Sequence, residues 1–118
     1  MAELVACLGS GKGTWGHVFG LIKEEGWEKV LLITTEFFKD KINSGDKIET
    51  IVIDSDKFLL ELTEDIKNRL KDKIKGTEVA LSLISGSGKE HMAILAALLK
   101  LGLGIRLVTL TKNGVKEI

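Results

Sequence analysis

The chain has 118 residues, with 17 Lys or Arg against 17 Asp or Glu, so its formal charge is zero with both histidines neutral. That length fits one domain with a hydrophobic core of its own and needs no disulfide or metal staple. Zero net charge excludes a broad nucleic-acid-coating surface, which requires a basic excess, so no direct duplex DNA binding is expected; a local anion site remains open.

The first strand is expected at Leu4 to Leu8. Cys7 lies inside this apolar run, and as a lone cysteine it reads as a small buried hydrophobe rather than a nucleophile. A helix fits Thr14 to Glu25, with Val18, Phe19, Leu21 and Ile22 as its apolar stripe and Gly26 as its stop. The second strand is Val30 to Thr34. A polar stretch follows from Glu36 to Lys47, with a turn at Asn43-Ser44-Gly45-Asp46. The third strand runs from Ile48 to Asp54.

Ser55 or Asp56 is placed to cap the next helix. Leu59, Leu62, Ile66, Leu70 and Ile74 form its amphipathic face, and Gly76 ends it. Val79 to Ile84 is the fourth strand, Lys89 to Leu101 a helix, and Ile105 to Leu110 the fifth strand. Asn113-Gly114 signals a tight hairpin, so Val115 to Ile118 returns antiparallel as an edge strand.

Apolar strands alternating with helices define an α/β chain with a parallel sheet covered on both faces. The expected fold is one Rossmann-like doubly wound, mostly parallel sheet over residues 1–118, in the order 3-2-1-4-5 with a C-terminal antiparallel edge strand. Met1-Ala2-Glu3 is no basic leader, and no apolar run reaches the roughly 18 residues of a membrane span. A cytoplasmic protein without a membrane partner is expected.

Glycine, at 13 residues with no proline, does the punctuation. Two segments echo each other: strand, GSGK, helix, strand. The tetrads are Gly9-Ser10-Gly11-Lys12 and Gly86-Ser87-Gly88-Lys89, after the first and fourth strands. In the order 3-2-1-4-5 these strands are neighbours at the topological switch point, so both loops line one crevice. Glycines admit a ligand close to inward-turned backbone N–H groups. Ser adds a hydroxyl, Lys a charge, and the helix N-terminus a partial positive charge. A single such loop reads equally well as a tight corner. Two meeting at one switch point favour an anion site for a ligand with more than one phosphate.

Gly9-Ser10-Gly11-Lys12-Gly13-Thr14 also looks like the phosphate loop of adenylate-kinase-type enzymes, with Asp54 as a magnesium-holding strand end. The pattern G-x-x-x-x-G-K-[ST] fails, because Ala6 stands at its first glycine and Gly13 follows Lys12. A P-loop-like nucleotide-binding or kinase-related module stays as the alternative.

Leu83-Ile84-Ser85-Gly86-Ser87-Gly88-Lys89-Glu90-His91-Met92, followed by an Ala/Leu helix and Gly104 to Thr111, resembles the CARF (CRISPR-associated Rossmann fold) domain over nearly the whole chain. The resemblance implies a two-fold dimer that binds cyclic oligoadenylate, the second messenger of type III CRISPR defence, as a sensor or sink. It places Ser10, Gly11, Lys12 and Thr14, flanked by Gly9 and Gly13, in a first ligand loop. It places Ser85, Gly86, Ser87, Gly88, Lys89 and His91 in a second, with Thr34, Thr35 and Glu36 as weaker candidates. Most members carry a fused helix-turn-helix or nuclease domain; this chain reads as a stand-alone member or as one domain of a larger protein.

A metal-independent ring nuclease is the enzymatic version of that reading. A ribose 2′-hydroxyl would attack its adjacent phosphate, with Lys89, Lys12 and Ser10 as the catalytic candidates and no cofactor or metal. Trp15 is placed to stack on an adenine, although a lone Trp more often packs in the core. His17 and Trp27 read as structural. The helix from Met92 to Leu99 is apolar nearly all round, and a dimer contact would use the side that the sheet does not bury.

Overall fold

The computed structural model describes residues 2–24, 26–42 and 47–118, with only the backbone described at Lys12. The turn expected at residues 43–46 lies outside these. The elements are β1 (Glu3–Cys7), α1 (Trp15–Lys23), β2 (Lys29–Thr35), β3 (Ile48–Ile53), α2 (Leu59–Leu70), β4 (Glu78–Ser82), α3 (Gly88–Lys100), β5 (Gly104–Thr111) and β6 (Gly114–Glu117). One six-stranded sheet runs β3-β2-β1-β4-β5-β6. All its pairs are parallel except β5 with β6. The expected order and the antiparallel edge strand are both present.

Alternation along the central strands splits the core into two layers. Leu4, Ala6, Val30 and Leu32 face α1, which buries Val18 and Leu21 against them. Val5, Cys7, Leu31 and Ile33 face α2 and α3, which bring Leu62, Ile66, Leu70, Ala93, Ile94, Ala97 and Leu98. Central strands that meet helices on both sides cannot alternate with polar residues, which is why they read as continuous apolar runs. Each fully buried Leu or Ile contributes roughly 1.5–3 kcal/mol through removal of its surface from water.

Three local expectations are corrected. Neither Ser55 nor Asp56 caps α2: its N-cap is Phe58, with no side-chain cap. The Asp54 carboxylate instead accepts the Asp56 backbone N–H at 3.0 Å. That closes a turn which carries the chain past the strand end before the helix begins. Second, α2 stops at Leu70, well before Gly76. The buried Glu3 carboxylate accepts the N–H groups of Lys75 and Gly76, each at 2.9 Å. This leaves no buried unpaired charge at the start of β1. Third, α1 begins at Trp15, behind a single 3₁₀ turn at Lys12–Thr14. No described helix is long and apolar enough to cross a membrane.

Candidate functional site

The loops after β1 and β4 touch backbone to backbone. A Cβ added to Gly9 would lie 2.4 Å from Gly86 Cα, and one added to Gly86 would lie 2.7 Å from Cys7 Sγ. Gly86 also has φ +111°, a conformation that side chains disfavour. Both glycines are therefore required by the junction itself. The Gly9 N–H donates to the buried Ser85 Oγ at 2.9 Å. His91 Nε2 lies 2.7 Å from the Ser85 carbonyl. A carbonyl only accepts, so this nitrogen carries the proton. The two loops and the first turn of α3 thus form one rigid unit.

The remaining loop glycines behave differently. Cβ atoms added to Gly11, Gly13 or Gly88 would meet nothing within 4 Å. None of the three has a positive φ. Neither packing nor backbone conformation requires glycine at these positions. Their missing side chains leave the loop backbone open to close approach from outside.

Several candidates carry structural duties. Ser87 is the N-cap of α3: its Oγ accepts the Glu90 N–H at 3.2 Å, and Glu90 Oε1 accepts the Ser87 N–H at 2.8 Å. The sequence signal was present, since Ser-x-x-Glu at a helix start is a capping box. Thr14 Oγ1 donates to the Gly11 carbonyl at 2.9 Å and tightens the 3₁₀ turn. The Trp15 indole N–H donates to the Gly9 carbonyl at 2.8 Å. Its ring stands edge-on to Phe19 and Phe38, with centroids 6.3 and 5.4 Å away. Trp15 anchors the first loop to the core. Ser10 is exposed beside it. The Lys12 side chain lies outside what is described.

Lys89 Nζ donates to the Ser55 carbonyl at 2.8 Å, on the turn after β3. An ammonium has three donors, so one bond fixes its position and two remain for a phosphate. Sequence reasoning could not find this partner, because it comes from a loop three strands away. Also missed was a cavity of about 690 Å³ where β2 and β3 end, with walls that include Thr35, Phe37, Asp54, Ser55 and Arg69. Ser55 joins it to the glycine-loop crevice.

Behind the loops, burial and the Glu90 carboxylate push the Cys7 thiol up to about 12. Cys7 remains protonated and serves packing, not chemistry. The kinase-type alternative meets an obstacle in the strand order. β2 lies between β1 and β3, so the Asp54 backbone is two strand spacings, about 10 Å, from the first loop.

The class defined by this fold is a doubly wound α/β domain whose switch-point crevice is built from two glycine loops at β1 and β4. No family model and no curated protein sequence matches the chain. Among solved structures, it is similar to Csm6 from Enterococcus italicus, determined bound to cyclic hexa-2′-fluoro-hexa-dAMP. The TM-score is 0.62 at 15% identity, over 95% of this chain and 34% of that one. The likeness is one of fold, the Rossmann-like doubly wound sheet, and the chain spans about a third of the length of this neighbour.

Proposed function

We propose that the chain is a receptor domain for cyclic oligoadenylate, working as a two-fold dimer in type III CRISPR defence. The observation that carries this reading is the pair of glycine loops at the switch point. They are locked together by Gly9 and Gly86, while Gly11, Gly13 and Gly88 are left bare for no internal reason. Exposed N–H groups at helix starts suit phosphates, and Lys89 is held in place beside them. The ligand bound to the Csm6 neighbour is of the same chemical class. The dimer rests on α3, where Met92, Leu95 and Leu99 share one face and the outer two are each 61% exposed.

A second reading, ring cleavage, rests on Lys89 and the loop N–H groups. The 2′-oxygen bonds to the adjacent phosphorus and gives up its proton to solvent. The bond to the 5′-oxygen breaks, and that oxygen takes a proton from Lys89 or water. The products are a 2′,3′-cyclic phosphate and a free 5′-hydroxyl. Incubation with labelled cyclic tetra- and hexa-adenylate in EDTA tests both readings. A retained intact ring supports the receptor, and a cut ring adds the nuclease. A 2′-fluoro ring, which lacks the attacking hydroxyl, should bind and stay intact. Absence of any complex contradicts the proposal.

A further inference from the structure

The cavity at the ends of β2 and β3 has a chemistry different from that of the glycine loops. Its walls hold four carboxylates, Glu36, Asp54, Asp56 and Asp65, against two cations, Lys57 and Arg69. Each cation has a partner in the wall. Lys57 Nζ lies 3.8 Å from an Asp65 carboxylate oxygen, and Arg69 donates to the Val52 carbonyl. The lining is net acidic and repels phosphate. Its volume of about 690 Å³ lies within the roughly 300–1,000 Å³ range of small-molecule sites.

Phe37 stands at the rim, 74% exposed. Its ring rests edge-on against Phe38, with centroids 4.9 Å apart. Lys41 Nζ lies over the same ring, 5.2 Å from its centroid, and much of the ring remains open to solvent. Asp54 uses one oxygen on the Asp56 N–H and retains acceptor capacity on the other. The Asp56 carboxylate is exposed beside it. An exposed aromatic ring beside carboxylate acceptors suits a nucleobase bearing an exocyclic amine. Ser55 sits in the wall and accepts from Lys89 of the second glycine loop, so base cavity and phosphate crevice share a boundary.

We infer that this cavity is the base subsite of the same crevice, stacking one adenine of the ring on Phe37 and taking its 6-amino group on Asp54 and Asp56. The inference rests on the cyclic oligoadenylate reading and adds the basis of base specificity to it. Hypoxanthine carries an oxygen where adenine carries the amine, and the carboxylates repel it.

Calorimetric titration of the whole chain with cyclic hexa-adenylate and cyclic hexa-inosinate tests this, on wild type, Phe37→Ala and Asp56→Ala. Both substituted side chains are exposed, and unchanged melting temperatures verify folding. Phe37→Ala is expected to weaken the adenylate ring about tenfold. Asp56→Ala is expected to narrow the preference for adenine over hypoxanthine by several-fold. If both variants bind both rings as wild type does, the subsite is overturned while the receptor reading stands. If wild type binds neither ring, the receptor reading falls and the subsite with it.

Discussion

At the scale of single residues, the loop glycines divide by what surrounds them. Gly9 and Gly86 are fixed by contact, whereas Gly88 has open space at its Cβ position. Gly88 is the first residue of α3, where Ala is preferred over Gly by roughly 0.5–1 kcal/mol in helices. Gly88→Ala is therefore expected to leave stability unchanged or slightly raised, read by urea midpoint. It should also weaken ring binding at least tenfold, about 1.4 kcal/mol, by standing a methyl group where the ligand approaches. Unaltered binding in Gly88→Ala would return this loop to a plain strand–helix corner.

Cys7 gives a pH signature. Its thiol titrates near 9.0 when unfolded and about 12 in the fold, so the folded state holds the proton more tightly. The associated stability is fully present below pH 9 and is lost as pH rises toward 12, at about 1.4 kcal/mol per unit. Wild type should lose roughly 1 kcal/mol more than Cys7→Ala between pH 8 and pH 10 in urea unfolding. Parallel losses in the two proteins would show that the thiol does not govern this window.

At the scale of elements, the proposed dimer uses the face of α3 opposite the sheet. Leu99→Glu changes an exposed side chain and should leave the fold intact while placing two like charges across the two-fold axis. Sedimentation is expected to show a monomer, with ring affinity reduced at least tenfold, about 1.4 kcal/mol. A dimer that persists would move the interface elsewhere.

Strand order and helix identity were legible in the sequence because their signals are local. Continuous apolar runs such as Val30 to Ile33 specify strands buried on both faces, and Asn113-Gly114 marks the final hairpin. The start of α2 was not legible, because two residues with capping side chains precede it and the Asp54 turn uses one of them first. The site was legible only in its loops. Ser85 and Gly9 are 76 residues apart, and Lys89 and Ser55 are 34 apart; no spacing rule anticipates either bond. The cavity at the ends of β2 and β3 was missed for the same reason, since β2, β3 and α2 each contribute part of its wall.

For the whole molecule, zero net charge and a glycine-lined crevice with Lys89 at its edge belong together. On the proposed reading, the chain would avoid non-specific polyanions and recognise a particular one through placed N–H groups and Lys89. Two copies related by a two-fold axis would present a symmetric set of four glycine loops to a ring with repeated phosphates. The most direct measurement is calorimetric titration of the folded wild-type chain with cyclic hexa-adenylate, beside the linear hexamer, in EDTA. The expected result is one ring per two chains, with a Kd at or below about 1 μM and much weaker binding of the linear form. No heat with either ligand, or equal binding of both by single chains, would contradict a dimeric ring receptor.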